Sequence, residues 1–120
     1  IACGLAWPER IDSGVQPLDF AKLSALTFEE ADAQRFPGLH LSWHALKAPE
    51  GTTTVLNAAN EVAVAAFLGG QLRFDRIHAV NLEALEAVVP PRCPGSLGDL
   101  MALDQEARAR AVHTVQRWAA

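Results

Sequence analysis

Two histidines, His40 and His44, stand four residues apart in a stretch of helical period. That spacing can chelate zinc from one face of a helix, as the HExxH metalloproteases do. Position 41 is Leu, however, so the general base of that pattern is missing, and a third ligand such as His78 or Cys93 would have to arrive through the fold. Ordinary surface histidines are the stronger expectation. Nucleophiles fare no better. Ser13-Gly14 lacks the flanks of a GxSxG elbow. Cys93 sits between Arg92, which could lower its pKa, and Pro94, and reads as an incidental loop thiol. Gly95-Ser96-Leu97-Gly98 looks like half a phosphate loop without strand or lysine, and reads as a turn and a helix cap. Glu29, Glu30 and Asp32 read as a solvated acidic stretch. No catalytic, cofactor-binding or metal residue is therefore expected in the chain, and no bound cofactor.

One constellation is unusual. Asn57, Asn60 and Glu61, at i, i+3 and i+4, share one face of a helix that is otherwise almost wholly apolar. Polar groups buried without partners cost about 1–3 kcal/mol each. The stripe must therefore meet polar partners, and Asn57, Asn60 or Glu61 is expected to be largely buried. A catalytic face would need a His, Cys, Lys or Gly-rich loop beside it, and none stands there. The stripe reads as a structural clamp on backbone groups of a neighbouring segment. The irregular first third of the chain is the expected partner, because its backbone has no regular structure to satisfy it.

The elements that must position these residues fall into two parts. Residues 1–36 form a linker arm, extended and mostly irregular: Pro8, Gly14 and Pro17 break any helical period. Leu5, Trp7, Ile11, Leu18 and Phe20 make it too apolar for a solvated linker, so it should lie on some other surface. Residues 37–120 read as a small up-and-down bundle of about four helices, which makes the fold all-α. The first helix carries Pro37 near its start and the stripe Leu39, Trp43, Leu46, and ends at Pro49 and Gly51. The second covers about 56–68, capped by Asn57 and stopped by Gly69-Gly70, with alanines that would let neighbours approach closely. Asp75 caps the third, whose inner face is Ile77, Val80, Ala84 and Val88. Ser96 and Asp99 open a short turn through Met101. Asp104 caps the last helix, with the stripe Ala107, Ala111, Val115 and Trp118. Short connections make successive helices antiparallel neighbours.

Composition narrows the function classes. Half of the 120 residues are hydrophobic, enough for one modest core. The net charge is −4 and the ten Lys and Arg are scattered, which weighs against nucleic acid. No apolar run approaches the ~20 residues of a membrane helix. Two distant lone cysteines suit a reducing cytosol better than a disulfide scaffold. Without an initiator Met or a signal peptide, Ile1 reads as a cut point inside a longer protein.

At the polar stripe the sequence also takes on a resemblance. Leu56-Asn57-Ala58-Ala59-Asn60-Glu61-Val62-Ala63-Val64-Ala65-Ala66-Phe67 is similar to the signature of the C-terminal domain of the 1-deoxy-D-xylulose 5-phosphate reductoisomerases. Ala6-Trp7-Pro8-Glu9-Arg10, Ser13-Gly14, Pro17-Leu18-Asp19-Phe20 and Arg73-Phe74 follow the same family's order and spacing. The resemblance covers essentially the whole chain and is weakest from about Val89 to Leu97. Gly38 and Trp43 depart from it, standing where relatives usually carry Cys and a smaller residue. It implies a cytoplasmic, homodimeric enzyme of the non-mevalonate isoprenoid pathway that uses NADPH and Mg or Mn. It also implies that the nucleotide-binding and catalytic domains lie upstream of Ile1. The expectation is thus an inactive C-terminal domain that buttresses a catalytic body. The alternative is a free-standing helical module that binds a partner protein.

Overall fold

The computed structural model describes residues 1–23, 25–91 and 95–118. All regular elements among them are helical, and two compact units divide the chain, Ile1–Glu30 and Ala31–Ala120.

The first unit holds two single-turn helices, α1 (Ala2–Leu5) and α2 (Phe20–Leu23). Short side chains close its turns locally. The Gly14 N–H donates to Asp12 Oδ1 at 2.9 Å, with Gly14 in the left-handed region, and Ala21 N–H donates to Asp19 Oδ1 at 3.0 Å to open α2. Neither helix buries a residue, and the unit builds no core of its own.

The second unit contains α3 (Pro37–Lys47), α4 (Thr52–Leu68), a 3-10 turn (Phe74–Arg76), α5 (Ile77–Ala87) and α6 (Leu97–Trp118). Its core joins α4, α5 and α6 through Val55, Ala58, Ala59, Ala63, Val80, Ala84, Ala107 and Ala111, all wholly buried. Small side chains at these positions set a short distance between helix axes. Directions follow from the pairings. Glu61 meets Arg108, and further along Val62 and Ala66 share a groove with Val112 and Val115, so α4 and α6 advance together. Glu83 meets Thr114 and Trp118, whereas Val88 shares a groove with Glu106 and Arg110, so α5 runs back against them. The core is thus up-down-up, with α3 packed on α4 and α5.

Four local expectations are corrected. In α3 the stripe Leu39, Trp43, Leu46 is exposed, and Leu41 and Ala45 are buried instead. This helix carries two apolar stripes, and periodicity cannot tell which one faces inward. Asn57 does not cap α4, which begins at Thr52 after Gly51 in a left-handed conformation. The Thr52 hydroxyl donates to Pro49 O at 2.7 Å, which makes a threonine tolerable in the first turn. Asp75 does not cap α5; it accepts a forked pair of bonds from Arg73 within the 3-10 turn. The expected break before Asp104 is absent, and α6 is continuous from Leu97. Its start is the predicted capping pair: Asp99 N–H donates to Ser96 Oγ at 3.2 Å, and Ser96 Oγ donates to Asp99 Oδ2 at 2.9 Å. Asp104 sits inside the helix, where Arg108 holds it one turn on.

Candidate functional site

The polar face of α4 organises a hydrogen-bonded array that ties it to its neighbours in the second unit. Asn57 Nδ2 donates to Glu61 Oε1 at 3.1 Å along the helix. The other oxygen of Glu61 accepts from Arg108 of α6 at 2.8 Å, and the same guanidinium grips Asp104 at 2.7 and 3.1 Å. On the opposite flank Asn81 Nδ2 of α5 donates to Asn60 Oδ1 at 3.0 Å. Of the three residues singled out by spacing, Asn60 thus meets α5 and Glu61 meets α6, while Asn57 braces Glu61 within α4. They are also exposed rather than largely buried, because the face lies at the rim of the α4 seam, beside the alanine core and outside it.

Electrostatics follow the geometry. The Arg108 hydrogen bond, then that of Asn57, holds the Glu61 carboxyl below its ordinary value. Asp104 first and Glu61 second raise the Arg108 guanidinium further above its own. Both carboxylates thus face a fixed cation. The two carboxylates share one guanidinium, and these charge-assisted bonds tie α4 to α6.

Arg108 and Asn81 were not singled out by spacing, and Asp104 was read only as a helix cap. Asn81 did leave a signal: a carboxamide between Val80 and Leu82 on the inner face of an apolar helix. It is 7% exposed, and its Oδ1 is buried with no hydrogen-bond partner. A second tie closes the far end of α6. Glu83 accepts from Thr114 Oγ1 and Arg117, both at 3.2 Å, and from Trp118 Nε1 at 3.3 Å, while Arg76 lies 4.4 Å over the Trp118 ring.

The histidines behave differently. His40 and His44 are exposed and share a groove with His78, whose Nδ1 is buried without a partner. Among the described residues no group of three or more His, Cys, Asp or Glu side chains gathers as metal ligands would. Cys93 and Arg92, the other sequence candidates, lie outside the described residues. No helix among the described residues is long and apolar enough to cross a membrane.

Comparison with known proteins settles the family. The profile described as "DXP reductoisomerase C-terminal domain" matches residues 1–110. The chain belongs to that family. A 1-deoxy-D-xylulose 5-phosphate reductoisomerase of Shewanella baltica (strain OS223) is 50% identical over 115 residues, covering 96% of this chain and 29% of the relative. The enzyme of Shewanella frigidimarina is 46% identical with the same coverage. Among solved structures, the reductoisomerase from Zymomonas mobilis in complex with NADPH superposes with a TM-score of 0.82 at 39% identity, over 96% of this chain and 30% of that one. A DOX-P reductoisomerase in complex with magnesium gives 0.79 at 31% identity, over 97% and 31%. The chain thus spans about 29% of the length of the curated relatives it matches, and its helical fold matches about 30% of the Zymomonas mobilis structure.

Proposed function

We propose that this chain is the C-terminal buttress of an NADPH-dependent 1-deoxy-D-xylulose 5-phosphate reductoisomerase of isoprenoid biosynthesis, with the chemistry done by a catalytic body outside these residues. One observation carries the reading: similarity over 96% of the chain maps to only 29% of reductoisomerases of that name. Residues 1–36 then serve as the arm leaving the catalytic body, and 37–120 as the bundle. Asn57, Asn60 and Glu61 act as a polar clamp that fixes α4 against α5 and α6. NADPH and Mg or Mn belong to the catalytic body, consistent with relatives solved with NADPH and with magnesium. Among the described residues, Glu61 and Asp104 are held by Arg108, an arrangement that does not favour a divalent metal there. The parent enzyme would be a cytoplasmic homodimer that needs neither nucleic acid nor membrane.

The test is NADPH oxidation with 1-deoxy-D-xylulose 5-phosphate and Mg. The full-length enzyme carrying this segment should turn over, and the 120-residue chain alone should not. Turnover by the isolated chain would sink the buttress reading. Loss of nothing on deleting the segment from the full-length enzyme would do the same.

A further inference from the structure

We draw no further inference here: the strongest candidate, the groove between α3 and α5 lined by His40, His44 and His78 with Leu41, Leu82 and Leu85, gathers no set of metal ligands among the described residues, and nothing in the structure shows what covers it.

Discussion

Arg108 and Glu61 lie 47 positions apart in the chain and meet at 2.8 Å, joining α6 to α4 through a charge-assisted bond. Because Arg108 also holds Asp104 and Glu61 also holds Asn57, the pair is the centre of a four-residue array. Its acid dependence follows from the lowered Glu61 pKa. A carboxyl whose pKa is depressed on folding adds stability that is present above its ordinary value of 4.5 and is lost as pH falls through the lower, folded value. Glu61→Gln should lower the melting temperature at pH 7, and the gap to wild type should close in the acid range below 4.5. Both partners are solvent-exposed, so the effect is small and shrinks with added salt. A gap that persists unchanged at pH 3 would contradict this account.

Replacing Asn60 with Leu should cost about 1–3 kcal/mol, read as a shift in the urea midpoint of the second unit. The cost arises at Asn81, whose buried Nδ2 would lose its acceptor while its Oδ1 has no partner. The converse change, Asn81→Leu, should cost less in the same assay. It removes the buried polar group itself and leaves Asn60 to the solvent it already meets. Equal costs for the two would show that the pair is not what α4 and α5 depend on.

Gly51 should not tolerate alanine. Its φ of +89° lies in the region that an L side chain occupies only with strain, about 1–2 kcal/mol. The added Cβ would also approach Leu103 Cδ2 to 2.8 Å and Pro90 Cβ to 3.1 Å. Gly51→Ala should lower stability by about 2 kcal/mol or more, measured by thermal melting. By contrast Gly38→Ala, in open space on α3, should be neutral or slightly stabilising.

The first unit should make the isolated chain sticky. Leu18, Phe20 and Phe28 are exposed and its helices bury nothing, and large apolar side chains left in water favour association. Light scattering after size exclusion should show concentration-dependent oligomers of the 120-residue chain. A truncation that keeps only residues 31–120 should reduce them. A strict monomer at every concentration would count against this.

Most of the second unit was legible because its helices are long and their stops are chemical. Gly69-Gly70, Pro90-Pro91 and Ser96 mark boundaries by backbone physics alone. The inner faces of α5 and α6 were legible for the same reason, with Val80, Ala84, Ala107 and Ala111 recurring at helical spacing. What escaped were choices that depend on tertiary partners. Leu41 and Ala45 won over Leu39 and Trp43 on α3, and no local signal ranks the two stripes. Asn57 and Asp104 looked like caps because short polar residues favour caps, yet each is held mid-helix by a side chain one turn on. The polar stripe was visible from spacing, but Asn81 and Arg108 lie 21 and 47 positions from their α4 partners, beyond any window of periodicity.

The alanine-lined seam also shapes how this unit responds to temperature. Its largest fully buried side chains are Val55, Val80 and Thr114, and leucines such as Leu72 and Leu103 lie at the edge of an alanine-rich seam, so unfolding exposes less hydrocarbon than a core of large side chains would. Heat capacity on unfolding scales with that exposure, and ordinary domains show about 12–15 cal/mol/K per residue. A seam built largely of alanine and valine lowers the unit's value relative to a core of larger side chains. Its free energy of unfolding then bends only gently with temperature. A flatter curve of this kind moves the onset of cold unfolding to lower temperature.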